Sequence, residues 1–317
     1  MPRALPKPYA ELVRGQTRLR FFHGDAIQIL NALGAGSVDA VVTSPPYNLG
    51  IEYRSYHDGL SQPEYLAWTG DWVQAAKRAL AEDGSLFLNV GAKPKDPWTA
   101  LDVAQAVRPH LHLQNIIHWV KSIAIEKALA GSRSGLADDL AVGHYKPINS
   151  KRFLNDCHEF VFQFSKTGDT PIDRTAIGVK YQDQSNVTRW AQAGSGLRCR
   201  GNTWFLPYDT IQSRDKERPH PATFPWRLPA YCLKLHGVQR VRLAADPFLG
   251  LGSSAVACAT LGVSFVGIEL DAHYLKEAVS RARVALEKAT KSFSLNPSLR
   301  EIYASIQSWR PYWTFDN

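Results

Sequence analysis

The sequence predicts an α/β fold built on a doubly wound, mostly parallel sheet, and three observations carry that expectation. Val38, Ala40, Val41 and Val42 form a nearly all-apolar, β-branched run interrupted only by Asp39, the pattern of a strand buried on both faces. From residue 19 to residue 166, runs of this kind alternate with helical stripes at the spacing of βαβ units. Residues 241 to 274 then read as strand, glycine turn, helix and strand. With 317 residues, 44% of them apolar, the chain suits one large α/β domain with an insertion, or two domains.

In chain order, residues 1 to 17 are Pro-rich and basic and read as a loose arm. Leu19 to Phe22 form a strand ending at His23-Gly24-Asp25, where Asp25 either caps the helix of residues 26 to 33 or accepts a hydrogen bond from a cofactor. Residues 38 to 44 are the next strand. Residues 48 to 60 are polar and aromatic and suit a flap. Pro63 and Glu64 open a helix in which Leu66, Trp68, Trp72, Val73, Ala76 and Leu80 form a stripe, and Glu82-Asp83-Gly84 turns it into the strand SLFLNVG. The helix TALDVAQAVRPHL and the strands QNIIHWVKS and HEFVFQFSK follow. Two stretches break the rhythm. Residues 121 to 152 read as a long loop near the Pro-Pro site, and residues 167 to 218 mix Arg174, Lys180, Arg189, Arg198, Arg200, Arg214, Lys216 and Arg218 with Tyr181, Trp190 and Trp204. Charge and composition alone describe a solvated insertion as well as a nucleic-acid surface, and adjacency to the other signals favours the latter.

A net charge of +8 favours a polyanionic partner. Cys157, Cys199, Cys232 and Cys258 are too far apart in sequence for a CxxC metal site and read as reduced cytosolic thiols. The amino terminus has no signal-peptide core and no run approaches a membrane span, so the expected location is the cytoplasm, with no membrane partner.

The chemistry is concentrated at Ser44, Pro45, Pro46 and Tyr47. Two prolines cannot join a sheet ladder, so the strand must end at Ser44 and leave a stiff loop at its carboxyl end, where open α/β sheets bind ligands. The Ser44 hydroxyl and the Pro45 carbonyl are two acceptors, and the Tyr47 ring can cover a planar group beside them. A nucleobase amine fits that arrangement. The plain alternative is a Pro-Pro turn with a tyrosine that merely packs.

The carboxyl-terminal half adds a cofactor signal. HPATFPWRLPAYCLKLHG reads as a helix with Thr223 near its N-cap, Pro225 in its first turn and Gly237 past its end, its amino end suited to an anion. In the segment 241 to 274, Gly250 and Gly252 let the backbone approach a ligand, while Glu269 can accept from both hydroxyls of a ribose. A dinucleotide is disfavoured because Ala255 stands where the third glycine belongs and Asp246 would repel a phosphate. S-adenosylmethionine carries no phosphate, and Asp246 can bind its ammonium.

DPFLGLGSSAVACATLGVSFVGIELD together with TSPPYNLG resembles the amino-methyltransferases of DNA, which methylate exocyclic nitrogens of cytosine or adenine using S-adenosylmethionine. HGDAI, NIIHWVKS, CHEFVFQFSK and HPATFP fall where that family has further blocks, so the resemblance covers most of residues 19 to 275. It implies cofactor contacts from Asp25, His220, Pro221, Asp246, Phe248, Gly250, Gly252, Ser253 and Glu269, with serine at 253 where the family usually has threonine. The order of the blocks matches the subclass called β, which implies a circularly permuted methyltransferase-type sheet with strands from both chain ends side by side. The resulting division is 1–166 catalytic half, 167–218 inserted target-recognition region, 219–290 S-adenosylmethionine-binding half and 291–317 tail. Serine before Pro-Pro-Tyr resembles the cytosine enzymes, so the implied activity is methylation of cytosine N4 in double-stranded DNA, with adenine N6 as the alternative. The implied partners are duplex DNA, and the resemblance admits a homodimer and a cognate restriction endonuclease acting on the same site. Transfer to cytosine C5 is disfavoured because no cysteine follows a proline.

Overall fold

The computed structural model describes residues 4–48, 59–92, 96–131, 134–143, 148–181, 196–208 and 223–295. Its elements are β1 (Ala10–Arg14), β2 (Thr17–His23), α1 (Ala26–Ala32), β3 (Val38–Thr43), α2 (Gln62–Ala79), β4 (Leu80–Val90), α3 (Thr99–Val107), β5 (His112–Val120), β6 (Ser122–Ile125), α4 (Lys127–Ala130), β7 (Leu140–Gly143) and β8 (His158–Ser165). There follow β9 (Val179–Lys180), β10 (Leu197–Arg198), β11 (Thr203–Phe205), α5 (Arg227–His236), β12 (Leu243–Asp246), α6 (Ser253–Leu261), β13 (Ser264–Glu269) and α7 (Ala272–Leu295).

One sheet of nine strands carries the fold, in the order β1, β2, β13, β12, β3, β4, β8, β5, β11. Pairing is parallel from β2 through β13, β12 and β3 to β4, and again between β5 and β11. Only β1 and β8 run against their neighbours, so the sheet is mostly parallel, as expected, with β8 wedged antiparallel between β4 and β5. Every residue of β3 is buried. Ala40 and Val42 pack with residues of α5, α6 and α7, whereas Val38 and Val41 pack with α1, α2 and α3, so helices cover both faces. Each of these valines taken out of water contributes roughly 1.5–3 kcal/mol before entropy is counted.

Local chemistry explains the element ends. Glu64 reaches back to the Ser61 backbone N–H at 3.0 Å and so starts α2 with the chain already turned. From the other end of α2, Arg78 donates to the carbonyls of Leu30, Asn31 and Leu33 at the carboxyl end of α1, where a helix runs out of its own N–H partners. Gly262 ends α6 at φ 72°, in the left-handed region where glycine is favoured.

Strands from the two ends of the chain lie side by side. β2 pairs with β13 over Leu19 to His23, and the Gly24 N–H donates to the Glu269 carbonyl at 3.0 Å. This sets the carboxyl ends of β2, β13, β12 and β3 in one row.

Four expectations need correction. The arm of residues 1 to 17 contains β1, whose Ala10 and Leu12 pack against the core while Glu11 and Val13 face outward, an alternation too short to stand out. The expected loop of 121 to 152 holds the β6 and β7 hairpin and α4. The insertion of 167 to 218 returns to the main sheet through β11, where Trp204 is 1% exposed, so that indole is core and not a surface for bases. The helix after His220 starts at Arg227, which leaves Thr223 and Pro225 ahead of it and puts Pro229 in its first turn; Gly237 caps it as expected. The flap of residues 48 to 60 lies largely outside the described residues, as does the tail of 291 to 317 beyond Leu295. Among the described residues no helix is long and apolar enough to cross a membrane.

A buried polar chain crosses the sheet. Asn115 donates to Gln163 Oε1 at 2.7 Å, Gln163 donates to Ser85 Oγ at 3.1 Å, and His236 Nδ1 lies 3.1 Å from the same hydroxyl. Burial pushes the His236 imidazole down to about 4, with the Arg240 charge adding to the effect. The native state therefore binds fewer protons than the unfolded chain below the ordinary histidine value of about 6.5, and stability is lost as pH falls towards and through 4. The stability advantage of the wild-type chain over His236→Gln, measured by urea denaturation, is expected to be about 2 kcal/mol smaller near pH 4.5 than near pH 7. An equal advantage at both values would show that this imidazole titrates normally.

Candidate active site

The site begins where β12 ends. Asp246 is 1% exposed, and its Oδ1 accepts from Thr43 Oγ1 at 2.7 Å and from the Phe248 N–H at 3.1 Å. Its Oδ2 accepts from Ser254 Oγ at 2.7 Å. Three of the roughly four acceptor positions of a carboxylate are thus filled, and one on Oδ2 remains. Burial pushes the Asp246 carboxyl up to about 6, against these hydrogen bonds and with help from the Glu269 charge.

Glu269 ends the neighbouring strand. Its Oε2 accepts from the Gly250 N–H at 2.7 Å and its Oε1 from the Asp271 N–H at 2.9 Å, and the Leu270 N–H also favours its charged form. Burial raises this carboxyl also. The glycine turn is forced by close packing, because a Cβ at Gly252 would lie 2.8 Å from Ala278 Cβ, and its φ of 78° suits glycine. Ser253 Oγ donates to the Phe224 carbonyl at 2.7 Å and ties the segment before α5 to the start of α6. Phe248 sits between Trp68 and Trp72, with ring centroids 5.4 and 5.3 Å away.

Ser44 to Tyr47 leave β3 beside this crevice. The Pro46 carbonyl accepts from Tyr65 Oη at 2.8 Å, and Asn48, at φ 55°, exchanges two hydrogen bonds with the Leu60 backbone. Ser44 Oγ lies 2.7 Å from Tyr47 Oη. The phenol is also 3.1 Å from Glu159 Oε2 and 3.3 Å from Asn89 Oδ1. Asn89 Nδ2 donates to Glu159 Oε2 at 3.0 Å, and Lys121 Nζ pairs with Glu159 Oε1 at 2.9 Å. Burial and the Glu159 charge hold the Tyr47 phenol well above its usual range, so it is protonated at neutral pH.

The crevice therefore brings together Ser44, Pro45, Pro46, Tyr47, Asp246, Phe248, Gly250, Gly252, Ser253 and Glu269. Asp25 stands at the end of β2 in the same row, exposed, and caps α1 by accepting from the Gln28 N–H at 2.9 Å. His220 and Pro221 lie outside the described residues. Thr43, Ser254, Asn89, Lys121 and Glu159 were not singled out for the site by sequence reasoning. A lone acid in the apolar strand HEFVFQFS was the one available signal for Glu159, and it names no partner.

Residues 38–280 match the DNA methylase family of N6 and N4 amino-methyltransferases. Type II methyltransferase M.ScaI of Streptomyces caespitosus is 29% identical over 297 residues, which covers 88% of this chain and 84% of that one. DNA adenine methyltransferase YhdJ of Escherichia coli (strain K12) is 22% identical over 280 residues, covering 86% and 85%. Among solved structures, the PvuII DNA methyltransferase (cytosine-N4-specific) superposes with a TM-score of 0.57 at 16% identity, over 86% of this chain and 91% of that one. TTHA0409 from Thermus thermophilus, complexed with S-adenosyl-L-methionine, gives 0.54 at 20% identity over 84% and 94%. The family match takes in Ser44 to Tyr47 as well as the turn from Asp246 to Glu269, and the chain belongs to the N6/N4 DNA methylases.

Proposed function

We propose that this DNA methyltransferase transfers a methyl group from S-adenosylmethionine to N4 of cytosine in double-stranded DNA. The observation that carries the reading is the 2.7 Å hydrogen bond from Thr43 to Asp246, which sets the buried acid one residue away from the acceptor Ser44. The residues present fit the cofactor. Asp246 keeps one acceptor position for an ammonium, the Glu269 carboxylate at the end of the neighbouring strand can accept from a ribose diol, and Gly250 brings no side chain between them. Two desolvated acids in one crevice favour a cationic ligand. TTHA0409, which shares the fold, is seen with that cofactor bound. Asp25, Phe248, Ser253, His220 and Pro221 complete the proposed cofactor contacts.

When bound, S-adenosylmethionine supplies an electrophilic methyl group. The chain's own task is to make a poor nucleophile competent. The lone pair of a nucleobase amine is delocalised into the ring, and Ser44 Oγ and the Pro45 carbonyl draw the nitrogen towards tetrahedral geometry by accepting its two N–H bonds. Pro45 and Pro46 hold these acceptors rigid, and Tyr47 stacks on the base. Taking the base out of the duplex costs a few kcal/mol, and positioning supplies much of the rate.

Serine before Pro-Pro-Tyr is the feature that favours cytosine. Adenine N6 is the second reading, because the E. coli relative is named an adenine methyltransferase. Nucleoside mass spectrometry of methylated duplex is expected to show N4-methylcytosine, and Ser44→Ala to lower the transfer rate by about 10² with cofactor binding retained. N6-methyladenine alone would overturn the cytosine assignment.

Asp246→Asn is expected to weaken S-adenosylmethionine binding by roughly 1.5–3 kcal/mol in calorimetry, as is Glu269→Ala. Because Asp246 titrates near 6, wild-type affinity should rise as pH climbs through that value and the acid ionises. In Asp246→Asn this rise is expected to flatten, and an unchanged slope would place the ammonium elsewhere.

The region 167–218 is proposed to recognise the target, and the M.ScaI likeness fits a restriction and modification role with an endonuclease acting on the same site. Arg200 is already committed, since it donates to the Ile177 carbonyl at 2.9 Å and lies 5.3 Å from the Tyr231 ring. Lys180 and Arg198, exposed on the paired strands β9 and β10, are proposed to meet phosphates. Changing each to Gln is expected to reduce the salt dependence of DNA binding by about one unit of log–log slope. An unaltered slope would remove this hairpin from the DNA surface.

A further inference from the structure

We infer that Ser44, Tyr47 and Glu159 form a proton relay that carries the amine's surplus proton out of the site, with Lys121 and Asn89 holding its far end. The inference rests on the proposed transfer to an amine at Ser44. Tyr47 has one hydroxyl proton and a choice of acceptors around it. Glu159 Oε2, at 3.1 Å, is nearer than either Asn89 oxygen at 3.3 Å and is the only one of them that carries a charge. The phenol therefore donates to Glu159, and the Ser44 hydroxyl donates across the 2.7 Å contact to the phenol oxygen. That direction leaves the Ser44 lone pairs facing outward and strengthens them as acceptors, because each bond in such a chain polarises the next.

Glu159 is held for this task from several sides. Lys121, from the residue after β5, faces its Oε1 at 2.9 Å, with both side chains largely buried, and Asn89 on β4 donates to Oε2 at 3.0 Å. Asp156 and His158 flank it on its own segment, and Tyr208 stands near Tyr47. Gly91 keeps the passage clear, since a Cβ there would lie 3.2 Å from both Tyr47 Cε2 and Glu159 Cγ.

The step balances. When the N–C bond to the methyl forms and the sulfur–carbon bond breaks, the amine nitrogen is left with one positive charge and one proton too many. That proton passes to Ser44 Oγ, the Ser44 proton to Tyr47 Oη, and the Tyr47 proton to Glu159 Oε2. The products are a neutral methylated base, two neutral hydroxyls and a neutral carboxyl, which returns its proton to water. Ser44 and the Tyr47 ring touch the base; the Tyr47 hydroxyl meets the proton only through Ser44, and Glu159 acts through both.

The test is single-turnover methyl transfer on duplex DNA, run in H2O and D2O, for wild type, Tyr47→Phe, Glu159→Gln and the double variant, with S-adenosylmethionine binding measured alongside. Each single change is expected to slow transfer by at least about ten-fold and to abolish the wild-type solvent isotope effect, with cofactor affinity retained. The double variant is expected to be no slower than the slower single one, because both break the same chain. A Tyr47→Phe rate equal to wild type, an isotope effect that survives in it, or a double variant that multiplies the two losses overturns the relay. If Glu159→Gln fails to bind cofactor, Tyr47→Phe and its isotope effect decide alone. A wild-type protein that methylates no amine defeats the proposed function itself, whereas an active wild type with unaffected variants defeats the relay only.

Discussion

The hydrogen bond from Thr43 to Asp246 is the contact on which the site depends. Its two residues are 203 positions apart, both are buried, and each is at or beside the end of a central parallel strand. It holds the Pro-Pro-Tyr loop and the glycine turn after β12 in one register across the sheet. Breaking it would leave a desolvated acid one donor short, a loss of about 1–3 kcal/mol before any effect on chemistry. The bond also needs the rest of the sheet to be in place. Ala245 of β12 must sit opposite Val41 of β3, and that pairing follows from a β3 buried on both faces, which leaves it no edge along which to slip.

What could be read from the sequence was local in origin. The β3 run, the two prolines that end it, the glycine turn and the acid ending β13 each declare themselves through neighbours a few residues away, because burial on both faces, missing N–H groups and tight turns leave short patterns. The same holds for α2, whose Pro63 and Glu64 mark its first turn. Elements stabilised by distant partners left no such trace. β11 is three residues long and exists because His118, Trp119 and Val120 offer it an edge, so Trp204 reads like any aromatic in a basic insertion. β1, five residues long, likewise rests on β2 and α7.

The partners of Tyr47 were hidden for a related reason. Glu159 approaches Asn89 because β8 runs antiparallel to β4, with Val161 opposite Asn89 and Phe160 opposite Val90. A sequence that alternates strands and helices implies parallel neighbours, and a parallel β8 would have set Glu159 at the opposite end of the sheet. One reversed strand thus decides whether the Pro-Pro-Tyr loop has an acid behind it. The local pattern of HEFVFQFS is indifferent to strand direction, and no reading of that stretch alone could have supplied the answer.

The electrostatics of the crevice argue against a purely structural role for its acids. A carboxylate kept for stability gains when its native environment favours the charged form, yet burial pushes both Asp246 and Glu269 towards the neutral form. For Asp246 the sign is plain: its folded value near 6 lies above the ordinary aspartate value, so its contribution to stability is present in acid and declines as pH rises through 6. At neutral pH the ligand-free fold carries that cost. Asparagine could keep Oδ1 as the acceptor for Thr43 and turn its amide N–H towards Ser254 Oγ, without the charge. The acid makes sense where something positive returns the lost solvation, and the acceptor position left open on Oδ2 is where an ammonium can do so.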